Sequence, residues 1–340
     1  MDEDSDTEIA EENLNNSFKN TQISQKSPQR EKFKPPSRGG HTSNYFPHLQ
    51  QIICFGGSND KSNNNELYCL STSSGKWIDC SQNQIGDIPS PRYAHTCVMF
   101  MNQMILFGGL DGKNYFSDMY VMNPRLEEKS FRWKRIIPSS TKNPEGRYGH
   151  TLNDLGDKLV LFGGFGAQKR AYNDLWVFDV FNNNWSMPTI EGNPPEPRFY
   201  HSTSVVNKNL VIYGGKNSNI YFNDIHILNT RNPIFFFPLS INFFFLEMKR
   251  WIKVELKNNF QIGRSIPNRA YHSANVIMGD YIFILGGYDG KDLFSDIQVF
   301  DMKEMCWFEF GNINSKRCKH TANAISNEMI LVFGGHDGSK

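Results

Sequence analysis

The chain has 340 residues, a formal net charge of +1 and an aromatic content of 14%. The near-neutral balance, and the lack of a basic run interleaved with aromatic residues, argue against nucleic-acid binding. The first residues are acidic and include no apolar stretch, so we predict neither a secretory leader nor membrane association.

The first 37 residues differ in composition from the rest of the chain. They contain many Asp, Glu, Asn, Gln, Ser and Lys residues and few large apolar ones. Such a segment cannot bury enough apolar surface to compensate for the entropy lost on folding. We therefore predict a disordered acidic and polar tail over residues 1–37 and a folded domain over residues 38–340.

A pair of adjacent glycines recurs six times in this domain and follows an apolar run each time, which marks a buried strand that ends in a tight backbone feature. The pairs are Gly56-Gly57, Gly108-Gly109, Gly163-Gly164, Gly214-Gly215, Gly286-Gly287 and Gly334-Gly335. Their spacing is about 50 residues except between the fourth and fifth pairs, and short strands repeated at that period are typical of a propeller.

Three further landmarks repeat in phase with the glycines. An Arg-x-x-His motif precedes each pair, at Arg38/His41, Arg92/His95, Arg147/His150, Arg198/His201, Arg269/His272 and Arg317/His320. An Asn-Asp or Ser-Asp step follows four pairs and ends at Asp118, Asp174, Asp224 and Asp296. A tryptophan recurs at Trp77, Trp133, Trp185, Trp251 and Trp307. Four landmarks in constant order make a chance periodicity implausible.

Each repeat is expected to supply four strands. A strand follows Arg-x-x-His, a nearly continuous apolar strand precedes Gly-Gly, a third strand alternates, and a fourth carries the tryptophan. A continuous apolar strand indicates burial on both faces. Because one four-stranded blade cannot cover both of its own faces, neighbouring blades must stack around an axis.

This ordered set of landmarks resembles the kelch repeat, and the resemblance extends from about Arg38 to the last residue. It implies an all-β, kelch-type β-propeller of four-stranded antiparallel blades, with six repeats visible and the last one incomplete. The chain stops just after the second strand of the sixth repeat. We therefore expect a truncated carboxyl terminus and a native chain that continues beyond Lys340.

The long interval between the fourth and fifth glycine pairs contains an anomalous hydrophobic segment over residues 231–246. Its apolar part is interrupted by a proline and is shorter than the roughly 20 residues that a bilayer-spanning helix needs. A membrane-dipping loop, an apolar partner-binding loop and an unspliced intron are three explanations. The intron explains most, because deleting the segment restores both the glycine and the tryptophan spacing. If the segment is real, it is an exposed hydrophobic loop.

The six cysteines show neither a Cys-x-x-Cys pair nor a regular framework, which gives little support to a zinc site or a disulfide scaffold. Free thiols in a reducing compartment are expected instead. We therefore predict a cytoplasmic location and no metal or other cofactor.

The resemblance implies an intracellular protein–protein interaction module or scaffold that presents loops at the propeller rim to a partner protein. Ubiquitin-ligase substrate receptors, cytoskeletal scaffolds and GTPase effectors are examples of this class. The alternative is a kelch-fold enzyme, such as a galactose-oxidase-like oxidoreductase or a sugar epimerase. No Tyr/His/Cys constellation stands apart from the repeat pattern, so we predict a non-enzymatic protein without a small-molecule substrate.

The candidate partner-binding loops are those that lead into the first strand of each repeat and those that follow Gly-Gly, which are expected to form one rim. Arginine and tyrosine are enriched at interface hot spots, and loops that differ between repeats can carry specificity. The predicted contact residues are Arg92, Tyr93, Arg147, Tyr148, Arg198, Tyr200, Arg269 and Tyr271, together with Lys169 and Arg170. For residues in phase with the repeat, turn hydrogen bonding and packing are the alternative role.

Overall fold

The computed structural model describes residues 22–24, 33–59, 61–125, 128–230, 250–254 and 266–338. Most of the predicted tail, the anomalous segment 231–246 and the last two residues lie outside these ranges. The described residues form β-strands and two 3-10 turns, Pro47–Leu49 and Ser81–Asn83, and include no α-helix. Within them, no helix is long and apolar enough to cross a membrane.

The strands are numbered in chain order, and β1 (Gln22–Ser24) precedes the repeats. The first blade contains β2 (Thr42–Phe46), β3 (Gln51–Phe55), β4 (Leu67–Ser71) and β5 (Trp77–Asp79). The second contains β6 (Gln84–Gly86), β7 (Thr96–Phe100), β8 (Gln103–Phe107), β9 (Met119–Arg125) and β10 (Ser130–Ile136). In the third repeat, β11 (Arg147–Tyr148) and β14 (Phe165–Gly166) form a small pair beside the blade β12 (Thr151–Asp154), β13 (Lys158–Phe162), β15 (Leu175–Asp179) and β16 (Asn184–Ser186).

The fourth blade contains β17 (Ser202–Val206), β18 (Asn209–Tyr213), β21 (Ile225–Asn229) and β22 (Arg250–Lys253), with the small pair β19 (Lys216–Asn217) and β20 (Ile220–Tyr221) in a loop. The fifth contains β23 (Ser273–Ile277), β24 (Tyr281–Leu285), β25 (Asp296–Asp301) and β26 (Cys306–Asn312). The strands β27 (Thr321–Ser326) and β28 (Met329–Phe333) form a three-stranded sheet with β1. The fold is thus an all-β propeller with five complete blades, as the sequence predicts for the fold class.

Within each complete blade the repeat strands follow one another as antiparallel neighbours. The second strand is the most buried: Leu159, Val160, Leu161 and Phe162 of β13 are all 0% exposed. The neighbouring strands on each side and the facing blades cover it completely. Burial on both faces explains why this strand reads as a continuous apolar run.

The linkers between repeats add parallel pairing that the sequence pattern did not predict. Strand β6 pairs in parallel with the outer strand β10, so that Gln84 lies opposite Phe131. The Trp133 indole N–H donates to Gln84 Oε1 at 2.9 Å. A parallel bridge joins Glu191 to Arg250 in the same way. Each of these linkers therefore fastens to the outer strand of the blade that it leads into.

Residues 22–24 belong to the segment that the sequence predicts to be a disordered tail. In the structure they form β1, which pairs in parallel with β28. The rest of residues 1–32 lies outside the described ranges.

The recurrent tryptophans pack between blades. The aromatic residue directly before Gly-Gly in one blade contacts the tryptophan of the next: Phe107 lies 5.5 Å from Trp185 and Phe162 lies 5.5 Å from Trp251, measured between ring centroids. The same contact joins Phe333 of the last sheet to Trp77 of the first blade at 4.5 Å. An aromatic pair of this kind lies at five of the six junctions, including the one that closes the ring. The exception is the junction between the fifth blade and the last sheet, where the residue before Gly-Gly is Leu285.

We predict that Trp185→Ala lowers the free energy of unfolding by about 3–5 kcal/mol, because Trp185 is 4% exposed and packs against Phe107 and Phe178. Urea denaturation followed by circular dichroism measures the loss. The control is Phe181→Ala in the same β15–β16 hairpin: Phe181 is 66% exposed, so its removal should change stability by less than about 0.5 kcal/mol. Equal effects of the two substitutions would contradict this packing.

Candidate functional site

Each of the first five repeats buries the arginine of its Arg-x-x-His motif beneath the Gly-Gly end of the blade. Arg147 Nη1 donates to Asp174 Oδ1 at 2.6 Å and to the Gly163 carbonyl oxygen at 2.9 Å. The equivalent ion pairs are Arg92–Asp118 at 2.6 Å, Arg198–Asp224 at 2.6 Å and Arg269–Asp296 at 2.7 Å. The Asn-Asp and Ser-Asp steps of the sequence are therefore the acceptors of these arginines.

The structure corrects the assignment of Arg92, Arg147, Arg198 and Arg269 as partner contacts. All four are 0% exposed. A buried guanidinium must be paired and hydrogen bonded, and the aspartate and glycine carbonyl of the same repeat supply those acceptors. The guanidinium of Arg92 also stacks on the Phe116 ring, 4.1 Å from its centroid. These arginines hold the blade end in shape and cannot reach a partner.

The histidines form a ring of side-chain hydrogen bonds between blades. The hydroxyl residue that follows each histidine bonds to Nε2 of the histidine in the next repeat, as in the 2.9 Å contact between Thr96 and His150. The other five bonds join Thr42 to His95, Thr151 to His201, Ser202 to His272, Ser273 to His320, and Thr321 to His41. The last of these closes the ring.

A second ring consists of backbone hydrogen bonds around the propeller axis. The residue directly before each histidine donates its N–H to the carbonyl of the equivalent residue in the preceding repeat, over 2.7–3.1 Å. We call these six residues the axial belt: Gly40, Ala94, Gly149, Tyr200, Tyr271 and Lys319. All six have positive φ, including Tyr200 at 55° and Tyr271 at 61°. Large side chains rarely adopt this conformation, and such strain is often found at functional sites.

The axial belt surrounds a cavity of about 830 Å³. Tyr93, Tyr200, Tyr271 and Lys319 contribute side chains to its lining, and the first repeat contributes Ser58 and Asn59. The Tyr200 and Tyr271 rings lie 4.1 Å apart, and Lys319 Nζ lies 5.4 Å from the Tyr271 ring centroid. One wall of the cavity is therefore aromatic, whereas the wall from the first repeat is small and polar.

The aromatic wall continues outward across the second, third and fourth repeats. Successive ring centroids are 5.8 Å apart for Tyr115–Tyr148, 5.6 Å for Tyr148–Phe165, 5.0 Å for Phe165–Phe199 and 5.2 Å for Phe199–Tyr200. We call this connected set, together with Tyr271, the aromatic crescent. At the equivalent motif positions the first repeat has Gly39 and Gly40, and the sixth has Cys318 and Lys319. The sixfold pattern therefore carries an asymmetric surface.

The loops that lead into the blades lie beside the loops that follow Gly-Gly, in the arrangement that the sequence predicts for the rim. Antiparallel bridges join Tyr93 to Leu110 and Phe199 to Lys216, and β11 pairs with β14 in the third repeat. Lys169 and Arg170 are exposed in the loop after β14. Tyr93, Tyr148, Tyr200 and Tyr271 are partly exposed. The four tyrosines and the two loop cations therefore remain accessible, unlike the arginines.

Sequence reasoning missed Phe165, Phe199, Tyr115 and Lys319 as components of this surface. Their positions in the repeat could have identified them, because each lies either between the Arg and His of the motif or in the loop after Gly-Gly. Burial raises the pKa of Tyr148 to about 12 and also raises the pKa of Tyr93, Tyr200 and Tyr271. At neutral pH the crescent therefore presents uncharged hydroxyl groups that can donate or accept hydrogen bonds.

Among the described residues, no group of three or more His, Cys, Asp and Glu side chains could hold a metal ion. The histidines of the ring are divided among six repeats, and each is hydrogen bonded to a Thr or Ser hydroxyl.

Two family models match the chain. Residues 38–234 match the model described as the FBX42 β-propeller domain, and residues 269–311 match the kelch motif. The chain is 26% identical to kelch domain-containing protein 1 of Mus musculus over 268 residues, which cover 72% of this chain and 60% of that protein. It is 25% identical to kelch domain-containing protein 2 of Bos taurus over 275 residues, covering 73% and 61%.

A third relative is tip elongation aberrant protein 1 of Schizosaccharomyces pombe, 32% identical over 199 residues that cover 55% of this chain and 17% of that protein. The chain thus spans about three fifths of the length of the two kelch domain-containing relatives, and less of the yeast protein.

We predict that Arg147→Ala lowers the free energy of unfolding by about 3–5 kcal/mol, because it leaves Asp174 and the Gly163 carbonyl without their buried donor. Lys169→Ala, in the exposed loop of the same repeat, should change it by less than about 0.5 kcal/mol. Urea denaturation compares the two variants. An Arg147→Ala protein as stable as the wild type would show that the buried pair does not hold the blade end.

We also predict that the propeller loses stability as the pH falls from 7 to 5. Burial lowers the pKa of His41, His150 and His320 to about 3, with a contribution from the neighbouring arginines, and depresses the pKa of His95, His201 and His272. The unfolded chain binds protons at these histidines below about pH 6.5, whereas the folded chain does not. The stabilisation is therefore present above pH 6.5 and is lost progressively toward pH 3, by on the order of 1 kcal/mol per histidine and pH unit.

The urea midpoint measured between pH 7 and pH 5 tests this effect, because ordinary carboxyl groups titrate mainly below that window. His150→Asn should reduce the slope of stability against pH, since it removes one proton-binding group from the unfolded chain. A midpoint that stays constant over this range would contradict neutral histidines in the folded state.

Proposed function

The chain belongs to the kelch-repeat β-propeller family, and on that premise we propose that it is a protein-interaction module. The proposed binding site is the aromatic crescent together with the cavity inside the axial belt. A segment of a partner protein would lie across the crescent and insert a side chain between Tyr200 and the opposite, polar wall.

The observation that supports this proposal is the separation of structural from accessible aromatic residues. The tryptophans are buried between blades, whereas Tyr93, Tyr148, Tyr200 and Tyr271 stay partly exposed on one rim. Rigid, partly exposed tyrosines provide apolar contact area and a hydrogen-bonding group at little entropic cost on binding.

The loops around the crescent supply charge. Lys169, Arg170 and Lys216 follow the glycine pairs of the third and fourth repeats, and Lys216 Nζ lies 4.8 Å from the Tyr221 ring centroid. Exposed charges at a rim act mainly on association rate and partner choice, whereas buried aromatic anchors contribute most of the affinity. We therefore expect Tyr200 and Tyr271 to dominate binding and the loop cations to modulate it.

We also propose a class of cellular role for this interaction module. A substrate receptor of a ubiquitin ligase, a cytoskeletal scaffold and a GTPase effector all require such a module. All six cysteines are free thiols, which favours a cytoplasmic setting and disfavours a secreted one. We propose a non-enzymatic role because the conspicuous titratable residues of the repeat, the arginines and histidines, are engaged in holding blades together.

We also infer that the three-stranded sheet is the blade of the sixth repeat. Arg317 donates to the Gly334 carbonyl at 2.9 Å, His320 bonds to Ser273, and the Gly335 N–H donates to the Arg38 carbonyl at 2.9 Å. These bonds repeat those of the five complete blades.

The experiment is a selection of linear peptides by phage display against the folded chain, followed by fluorescence anisotropy on the peptides obtained. We expect Tyr200→Ala combined with Tyr271→Ala to weaken binding at least tenfold, a loss of about 1.4 kcal/mol. Alanine is compatible with the backbone there, because Ala94 occupies the same belt position at φ 51°. Lys169→Ala combined with Arg170→Ala should weaken binding less and reduce its salt dependence.

Phe181→Ala is the matched control, since it removes an exposed aromatic side chain at the opposite end of a blade and should leave affinity unchanged. Peptides that bind the double tyrosine variant as tightly as the wild type would reject the crescent as the site. Turnover of a small molecule that is lost in the same variant would replace the interaction module with the enzyme alternative.

A further inference from the structure

Two cysteines of the first blade lie in direct contact. Cys69 belongs to β4 and Cys80 directly follows β5, and their Sγ atoms are 3.2 Å apart. The backbone fixes this arrangement: Cys69 lies opposite Ile78 in the β4–β5 pairing, and the Cys80 N–H donates to the Leu67 carbonyl at 2.9 Å. The two sulfurs are therefore held together by the sheet itself.

The pair differs from the other thiols of the chain. All six cysteines are free, and among the hydrogen bonds of the described residues this is the one that joins two sulfurs. Cys97, by contrast, accepts a hydrogen bond from Thr42 Oγ1. Both residues are buried, and Cys80, at 7% exposed, is more accessible than Cys69, at 1%.

The contact also shifts the pKa values of the two thiols in opposite directions. The hydrogen bond between them lowers the pKa of Cys80 and raises the pKa of Cys69. Of the two thiols, Cys80 is the one whose pKa is lowered, so we assign it the role of the reacting thiolate. A low-pKa cysteine beside a second thiol is the usual arrangement of an oxidisable cysteine and its resolving partner.

We propose that Cys69 and Cys80 form a dithiol that hydrogen peroxide oxidises to an intrablade disulfide. The Cys80 thiolate attacks one peroxide oxygen, which gives Cys80 sulfenic acid and a hydroxide that is protonated to water. Cys69 then attacks the Cys80 sulfur and displaces the hydroxide, which leaves as water with the proton of Cys69. Two thiols lose two electrons in total, and one peroxide is reduced to two water molecules.

The bond would act at the junction that closes the propeller. It would tie β4 to the outer strand β5, and β5 carries Trp77, which packs on Phe333 of the last sheet at 4.5 Å. A cross-link stabilises a fold mainly by restricting the unfolded chain. Oxidation should therefore raise the resistance of the first blade to unfolding without changing the aromatic crescent in the other repeats.

The test is peroxide treatment of the folded full-length chain, followed by denaturation, alkylation of the remaining thiols and mass spectrometry. Oxidised wild type should carry two alkyl groups fewer than the reduced protein. A peptide that links Cys69 to Cys80 should be present before reduction and absent after it. The oxidised protein should also show a higher urea midpoint, which a reducing agent restores to the original value.

Cys54→Ser is the matched control: Cys54 is buried in the same blade and should not be needed for the cross-link. Cys69→Ser should abolish the disulfide and leave Cys80 to be oxidised further. A wild type that keeps all six thiols, one that carries sulfinic acid at Cys80 without a linked peptide, or a cross-link between other cysteines would each overturn the proposal. None of these results depends on partner binding, so they are independent of the proposed function.

Discussion

The close approach of backbone at the Gly-Gly step is the constraint on which the propeller depends. A Cβ atom on Gly164 would lie 2.8 Å from the Cβ of His150, and one on Gly163 would lie 2.7 Å from the Arg198 carbonyl oxygen of the next blade. Both glycines also have positive φ. Only residues without a side chain fit there, and their fit brings the Gly164 N–H to the Arg198 carbonyl at 2.9 Å. The buried arginine, the histidine ring and the axial belt all follow from this contact between successive blades.

Much of this architecture could be predicted because it repeats. The glycine pairs, the arginines, the histidines and the tryptophans mark the order of the strands and blades, at a spacing of about 50 residues except between the fourth and fifth glycine pairs. A repeated landmark has a packing role in every copy. The sequence alone does not distinguish an arginine that forms a buried ion pair from one that is exposed in a loop. Arg147 and Arg170 both lie near a tyrosine and a loop, yet one is 0% exposed in an ion pair and the other is exposed to solvent. The partner that decides between them, Asp174, is 27 residues away in the chain.

The candidate site was harder to predict for a related reason. Phe165, Phe199 and Tyr200 belong to two repeats, and only the stacking of blades brings their rings within about 5 Å of each other. The parallel strand β6 was missed because its pairing with β10 follows from the path of a linker, which carries no hydrophobic period. The sequence pattern of one repeat therefore predicts the strands and buried residues of its own blade. It does not predict which side chains of different blades lie side by side, because that depends on how the blades are placed relative to one another.

Within each Arg-x-x-His motif, different residues serve stability and surface recognition. The histidine of Arg-x-x-His is buried in all six repeats and the arginine in the first five, whereas Arg317 of the sixth is half-buried. The two residues between them differ from Gly39-Gly40 to Phe199-Tyr200. A change at these two middle positions alters the rim and leaves the buried bonds in place. The propeller can therefore acquire a different surface in each repeat while keeping one packing scheme.

Closure of the ring has a consequence for how the chain folds during synthesis. His41 bonds to Thr321, 280 residues later, and the Arg38 carbonyl accepts from Gly335. Until residues 321–335 have emerged from the ribosome, the first repeat has no neighbouring blade on one side. The axial belt remains an open arc and the cavity has no complete wall. Contacts of such high sequence separation form late, because the entropy of closing the intervening chain has to be overcome first. The first blade therefore keeps its histidine side uncovered until residues 321–335 have been synthesised and have folded against it.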